Sequence, residues 1–169
     1  MSPAPDGPRR PPALDASVLP GLVGYEQAAL DAAGVSLVIS DARADDVPIC
    51  WVSPAFTTLT GYAAHRVLGA NCRFLQTDQT SESSRARIRE ALERGEPIRE
   101  TLLNRRADGS VFWNELLLAP IRHGGRDVTH VAGYQVDVTS RVTAHAAHDR
   151  FLEAERRAWS QAGRTRASR

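Results

Sequence analysis

Lysine is absent from this chain of 169 residues, so its 21 basic side chains are all arginine. This absence excludes Schiff-base catalysis and any phosphate-binding loop that depends on lysine. Cysteine is scarce, because only Cys50 and Cys72 occur. Two cysteines are too few for a disulfide framework, and their spacing is not that of a zinc site. A net charge of +1 provides no long-range field to recruit nucleic acid or a membrane.

Long apolar runs are missing as well. No stretch reaches the roughly 18 apolar residues of a membrane span, and the first residues lack a signal-peptide pattern. These absences predict a cytoplasmic protein with both thiols free and with neither a membrane nor a nucleic acid as a partner. Hydrophobic residues make up 42% of the chain, which is sufficient for a core without cross-links.

The order of patterns along the chain predicts five segments. Residues 1–20 hold six of the ten prolines and are expected to be disordered. Residues 21–34 form an amphipathic cap helix, residues 35–139 the folded core, residues 140–162 a second amphipathic helix, and residues 163–169 a frayed tail. The segment after the core is too short for a kinase, a cyclase or a helix-turn-helix domain, so we expect no fused effector.

The order of apolar runs within residues 35–139 predicts an α+β fold. Two short apolar runs, "VSLVISD" and "PICWVS", read as strands, and a helical region follows from Pro54 to about Glu93. Three alternating runs come next, separated by the turn pairs Asp108-Gly109 and Gly124-Gly125. The prediction is one five-stranded antiparallel sheet with a helical crossover on one face and a helix at each end.

Cys72 lies in the stretch "GANCRFLQ", and its chemistry is open on sequence grounds. Most free cysteines are small buried hydrophobic residues, and a minority are activated nucleophiles. Asn104, Asn114 and Gln135 lie in the three last strands, which are otherwise mostly apolar. A neutral amide offers both a donor and an acceptor, so three on one face can recognise a flat heterocycle. The alternative is that one or more of them points to solvent.

The octet resembles the signature of the light-oxygen-voltage domains, the flavin-binding branch of the PAS superfamily. The resemblance covers about residues 35–139 and includes "LLNRRADGSVFWNELLLAPIRH" and "VAGYQVDVT". It implies a blue-light photoreceptor, not an enzyme, that binds FMN, with riboflavin or FAD as the other flavins the site could take. Light would drive a reversible bond between the Cys72 sulfur and the C4a carbon of the flavin.

The resemblance also implies a role for each residue of the site. Gln135 would bridge the flavin carbonyl and the neighbouring ring nitrogen, and would pass the signal through the closing strand to the terminal helices. The other expected flavin contacts are the ribityl chain for Asn71 and Gln76, the phosphate for Arg73 and Arg89, the pyrimidine edge for Asn104 and Asn114, and the ring for Leu75 and Leu116. No metal is expected.

Three positions depart from the family pattern. Trp51 stands where Tyr or Phe is usual, either as core packing or as a competing electron donor. Cys50 is a second thiol expected near the pocket wall, and Leu116 replaces a Phe found in several relatives. The amphipathic flanking helices predict a homodimer with a separate downstream protein partner. The competing functions are a constitutive flavin-binding module and a small flavin oxidoreductase.

Overall fold

The computed structural model describes residue 29, residues 32–123, residue 125 and residues 127–167, with side chains up to residue 154. The segment predicted to be disordered, 1–20, lies outside the described residues, as does most of the predicted cap helix. The end of that helix is described. The Ala33 N–H donates to the Ala29 carbonyl at 2.9 Å, and Gly34 follows with a left-handed φ of 63°.

Five antiparallel strands form one sheet, which confirms the fold predicted for the core. The spatial order of the strands is β2-β1-β5-β4-β3, so the last strand lies in the middle, between β1 and β4. The strands are β1 (Ser36–Asp41), β2 (Ile49–Val52), β3 (Ile98–Arg105), β4 (Val111–Arg122) and β5 (Val128–Asp137).

The crossover between β2 and β3 consists of short helices whose ends match their sequence signals. Ser53 caps the first by accepting the Phe56 N–H at 3.3 Å, and Gly61 ends it with a φ of 76°. Ser81 caps the longest helix, and Gly95 ends it in the left-handed region. The elements are α1 (Pro54–Thr60), α2 (Ala64–Val67), a 3₁₀ turn (Cys72–Leu75) and α3 (Glu82–Arg94).

Side chains alternate between the two faces of the sheet, and each face carries its own apolar cluster. The near face, which includes Val38, Leu118 and Gly133, is turned toward the crossover. Its cluster joins sheet and crossover through Val38, Ile49, Val52, Phe56, Val67 and Leu75. The far face is defined by Leu37, Ile39 and Ala132, with Val35, Cys50, Trp51 and Ile121 partly buried against them.

The helix at the carboxyl end, α4, is longer than the sequence predicts. It spans Thr139–Ala167 instead of 140–162, so it includes most of the segment predicted to fray. The Phe151 side chain on this helix is 59% exposed. The predicted stripe also contains Trp159, whose side chain lies outside the described residues. Within the described part of the chain, no helix has the length and apolar character needed to cross a membrane.

Candidate functional site

A cavity of about 920 Å³ lies between the near face of the sheet and the crossover. This volume is within the range of small-molecule and cofactor sites. The cavity brings together every residue that the sequence predicts for the flavin site. These residues are Asn71, Cys72, Arg73, Leu75, Gln76, Arg89, Asn104, Asn114, Leu116 and Gln135.

Three amides from three strands form the polar end of the cavity. Asn104, Asn114 and Gln135 are 3%, 1% and 5% exposed. The Asn114 amide nitrogen donates to the Asn104 side-chain oxygen at 2.9 Å and to the Gln135 side-chain oxygen at 3.4 Å. The backbone of Asn104 also pairs with that of Gln76, which ties the end of the octet to β3. The sheet thus holds all three amides beside one another.

The amide cluster is not satisfied by the protein alone. The Asn114 Oδ1 atom is fully buried and accepts no hydrogen bond. A buried polar atom without a partner costs about 1–3 kcal/mol, so such an atom at a cavity wall favours a ligand that can donate to it. The pyrimidine edge of a flavin ring presents a ring N–H between two carbonyl oxygens. The unused hydrogen-bonding capacity of these amides therefore fits a flavin.

Cys72 opens the 3₁₀ turn and lines the same cavity. Part of the residue faces the cavity, yet burial raises the pKa of its thiol to about 12. No cationic group contributes to that pKa shift. The thiol is therefore protonated at neutral pH, which separates Cys72 from the thiolate nucleophiles of cysteine hydrolases.

The loop between β1 and β2 holds the start of the octet. The Asn71 side chain accepts the Arg73 N–H at 2.9 Å and donates to the Asp46 carbonyl at 2.5 Å. Arg73 also makes a 2.5 Å ion pair with the Asp46 carboxylate, with both side chains mostly exposed. Asp46 and Val47 have left-handed φ angles of 65° and 48°. A β-branched residue such as Val47 rarely takes this conformation, and it lies at the cavity wall.

Gly133 lines the cavity. It lies in β5 two residues before Gln135, on the same face of the sheet. A Cβ atom at this position would lie 3.3 Å from the Leu118 Cδ2 atom and 3.8 Å from the Leu116 Cδ1 atom. Glycine therefore lets the Leu116 and Leu118 side chains pack close to β5 at the cavity wall.

The structure separates arginines that the sequence does not distinguish. Arg85 and Arg89 line the cavity, whereas Arg87 makes a double ion pair with Glu100 of β3 at 2.6 and 2.9 Å. Sequence reasoning missed Arg85. The available signal was helical spacing, because Arg85 precedes Arg89 by four residues and shares its face of α3.

Cys50 and Trp51 do not line the cavity. The expectation that Cys50 lies near the pocket wall is therefore wrong. Its thiol donates to the Ile39 carbonyl at 3.3 Å, and the residue packs against the far-face cluster. A register shift between Ile39 and Ser40, where β1 pairs with β2, sets this placement and could not be read from the sequence. Trp51 packs in the same cluster, which agrees with the core-packing interpretation.

The family model, the curated relatives and the solved structures that resemble this chain point to the same kind of domain. A family model described as "PAS domain" matches residues 35–140. Blue-light-activated histidine kinase 2 of Erythrobacter litoralis is 38% identical over 118 residues, or 70% of this chain and 34% of that protein. The chain covers no more than about a third of the first curated relatives that it matches.

Solved structures agree with the sequence match. The light-oxygen-voltage domain of the EL346 blue-light activated histidine kinase from the same organism is 40% identical. Its TM-score is 0.60, over 62% of this chain and 96% of that one. A light-state dimer of the fungal blue-light photoreceptor Vivid is 29% identical, with a TM-score of 0.60 over 62% of this chain and 78% of that one.

Proposed function

This chain belongs to the light-oxygen-voltage domains of the PAS family, and from that membership we propose that it is a blue-light photoreceptor with a bound flavin. One observation carries the proposal: Cys72 lines the same cavity as the three buried amides. A site that only binds a flavin needs the amides and has no need of a thiol.

Cys72 is the photoactive group in this proposal. When bound, the flavin supplies a ring that absorbs blue light, a C4a carbon to which the sulfur can add, and a neighbouring nitrogen that takes the thiol proton. With the flavin bound, Cys72 would supply the sulfur that bonds to the ring and the proton that moves to it, and both would return to the thiol in darkness. The raised pKa of Cys72 keeps that proton on the sulfur until light arrives.

Gln135 is the group that converts this chemistry into a structural signal. Its amide can present either a carbonyl acceptor or an N–H donor to the cavity. Transfer of the Cys72 proton to a ring atom that Gln135 contacts would turn an acceptor into a donor, so the Gln135 amide would rotate or change partners. Gln135 lies in β5, which ends at Asp137, directly before α4 begins at Thr139. The change therefore has a short covalent route to the terminal helix.

FMN is the flavin that we propose for the cavity. Arg73 and Arg89 both line it, and a guanidinium group suits a phosphate because its N–H groups match two oxygens at once. Asn71 and Gln76 lie beside Cys72 and would hold the ribityl chain. Leu75 is 3% exposed and Leu116 is half-buried, and these two leucines would pack on the ring.

We propose a homodimer formed through the terminal helices as the form that transmits the signal. The Phe151 side chain on α4 is exposed, which favours contact between this helix and a second copy of the chain. The light-state structure of Vivid, one of the structural neighbours, is a dimer. A downstream protein partner and a cytoplasmic location remain predictions. The absence of enzymatic activity is likewise a prediction, and it is consistent with a match that covers a sensory domain.

The test is an absorption spectrum of the full chain, purified in the dark, before and after a blue flash. We expect a flavin band that bleaches and returns in darkness. Cys72→Ala is expected to keep the flavin and lose the bleaching completely. Cys50→Ala is the matched control, because this second thiol lies away from the cavity and its loss leaves the bleaching intact.

Two results would contradict the proposal. Bleaching that persists in Cys72→Ala would remove the role of the thiol. A bound flavin that does not bleach in the unmodified chain would favour the constitutive binding module, and NADH-dependent turnover of that flavin would favour the oxidoreductase.

A further inference from the structure

Val47, in the loop between β1 and β2, adopts a backbone conformation that its side chain disfavours. Its φ is 48°, in the left-handed region, and Asp46 before it has a φ of 65°. Glycine, asparagine and aspartate take this conformation at little cost, whereas a β-branched residue there is an outlier. Such strain persists only where the surrounding structure imposes it, and it is concentrated at functional sites. The protein therefore keeps valine at position 47 although asparagine or glycine would suit the backbone better.

The loop is fastened to the octet on both sides of Val47. After it, the Ile49 N–H donates to the Ala70 carbonyl at 2.8 Å. Before it, the Asp46 carbonyl accepts from the Asn71 side chain at 2.5 Å. These two bonds hold the loop against the segment that leads into the 3₁₀ turn. They are the surrounding structure that imposes the strained conformation on Val47.

Val47 supplies the bulk of the apolar wall that this loop gives to the cavity. Within residues 42–48, the residues that line the cavity are Ala42 and Val47, and Val47 is partly buried. The octet residues on either side of Cys72 that line the same cavity are polar, namely Asn71 and Arg73. A wall built from a methyl group and polar side chains alone would let water approach the thiol.

The Cys72 thiol is shielded from water although its residue lines a cavity. Burial alone raises the pKa of this thiol to about 12. The proposed function depends on such shielding, because in darkness a proton returns from the ring to the sulfur. Water that reaches the site can carry protons and so accelerates a step of this kind. The lifetime of the bleached form should therefore depend on how completely the wall beside Cys72 is closed.

We propose that Val47 closes the cavity to water beside Cys72, and that its strained conformation is kept because this closure prolongs the bleached form. The second half of this inference rests on the proposed function, whereas the closure itself does not need a flavin. A residue that only packs raises the stability of the fold. Val47 instead lowers that stability through its backbone and protects the thiol through its side chain.

The experiment compares the full chain with its variants Val47→Asn, Val47→Ile and Asp45→Asn. Asparagine relieves the strain and replaces the apolar wall by an amide, whereas isoleucine keeps both the strain and the closure. Asp45→Asn is the matched control, because it places the same amide at an exposed position of the same loop that does not line the cavity.

Three quantities are measured for each chain. The first is the rate at which methyl methanethiosulfonate, a small thiol reagent, labels Cys72 in the dark, with peptide masses separating Cys72 from Cys50. The second is the midpoint of urea unfolding. The third is the rate at which the flavin band returns in darkness after a blue flash.

We expect Val47→Asn to label Cys72 about tenfold faster, which corresponds to a local opening that costs roughly 1.4 kcal/mol less. The flavin band should return faster by a similar factor, while the urea midpoint rises because the backbone strain is relieved. Val47→Ile and Asp45→Asn should match the unmodified chain in labelling and in dark return. A variant that is more stable and yet more open at Cys72 would separate Val47 from an ordinary packing residue.

The proposal is overturned if Val47→Asn labels Cys72 no faster than the unmodified chain, or if Asp45→Asn accelerates labelling equally. Faster labelling with an unchanged dark return would overturn the effect on the bleached form, and a lower urea midpoint would overturn the strain. These outcomes differ from failure of the photoreceptor function. A chain that never bleaches would contradict the role of Cys72, and its labelling rate and urea midpoint would still test Val47.

Discussion

One cysteine lies on each side of the sheet, Cys72 in the crossover that covers the near face and Cys50 in β2 at the far face, and the two thiols resemble each other in acidity. Burial raises the pKa of Cys72 to about 12, and burial followed by the Asp41 carboxylate raises that of Cys50 to about 11. Acidity therefore does not explain why one thiol is suited to photochemistry and the other is not. The difference lies in their neighbours: Cys72 borders an open cavity, and Cys50 borders packed side chains and a backbone carbonyl.

The polar groups of the two faces differ in the same way. On the far face the Asp41 carboxylate accepts three hydrogen bonds from Arg43, two of them from its side chain, at 2.9–3.1 Å. On the near face the Asn114 carbonyl is buried and accepts none. The far-face carboxylate is satisfied within its own chain, whereas the amides around the cavity leave capacity for a ligand. The far face also holds a buried atom without a partner, His130 Nδ1, so the Asn114 oxygen is distinguished by the cavity that its residue lines.

The largest change in flavin affinity is expected from substitutions at two adjacent positions of β5 whose side chains lie on opposite faces of the sheet. Gly133 lines the cavity, and Tyr134 is 37% exposed on the other face. Gly133→Leu would fill the space for the ring and should lower flavin affinity by about a hundredfold or more. Tyr134→Leu should leave affinity unchanged. Titration of the apoprotein with FMN measures both, and equal affinities in the two variants would contradict a flavin site on the near face.

A smaller effect is expected on the far face, where the buried His130 side chain should make the free energy of unfolding depend on pH. His130 is 3% exposed, and burial lowers the pKa of its imidazole despite the nearby Asp41 carboxylate, with the Arg43 cation lowering it further. The unfolded chain therefore binds a proton more readily than the folded chain. Stability should fall as pH decreases below about 6.5, with a slope of at most ~1.4 kcal/mol per pH unit for one proton.

His130→Gln removes this proton and should flatten the free energy of unfolding between about pH 7 and pH 5. Urea unfolding at several pH values measures it. The pKa of Asp41 is lowered, chiefly by its hydrogen bond with Arg43, so its own contribution is lost only at more acidic pH. Parallel curves for variant and unmodified chain would show that His130 does not cause the slope.

The smallest change in flavin affinity is expected from a substitution beside Arg73, which lines the cavity. Asp46→Asn removes the partner of Arg73 and frees this guanidinium for phosphate. Because exposed ion pairs contribute about 0–1 kcal/mol, FMN affinity should rise by no more than roughly fivefold. Riboflavin is the control ligand and should bind as before. A fall in FMN affinity would mean that the Asp46 carboxylate is needed to hold Arg73 in place at the cavity.

Local signals in the sequence were sufficient for most of the fold. The ends of α1 and α3 follow from a serine before each helix and a glycine after it, and these residues act within one or two turns. The amide cluster was predictable for a related reason. Asn104, Asn114 and Gln135 interrupt apolar strands, and strand alternation determines the face on which each lies.

Long-range contacts explain what the sequence could not reveal. Arg87 differs from Arg85 because Glu100 of the neighbouring strand pairs with it, a contact between distant residues. The position of Cys50 depends on an irregularity in the pairing of β1 with β2. Val47 adopts a left-handed conformation in a loop without glycine, the residue whose presence would have predicted it. Each of these features depends on how separate segments meet.

The pairing of β1 with β5 has a consequence for engineering. Ser36, at the start of the first strand, pairs directly with Gln135, near the end of the last. Paired residues in antiparallel strands lie about 4.5–5.5 Å apart, so the chain enters and leaves the sheet at nearly the same point. The sheet domain can therefore be grafted into a surface loop of a host protein without separating the two ends of that loop. Such a graft would place both junctions next to the glutamine proposed to respond to light.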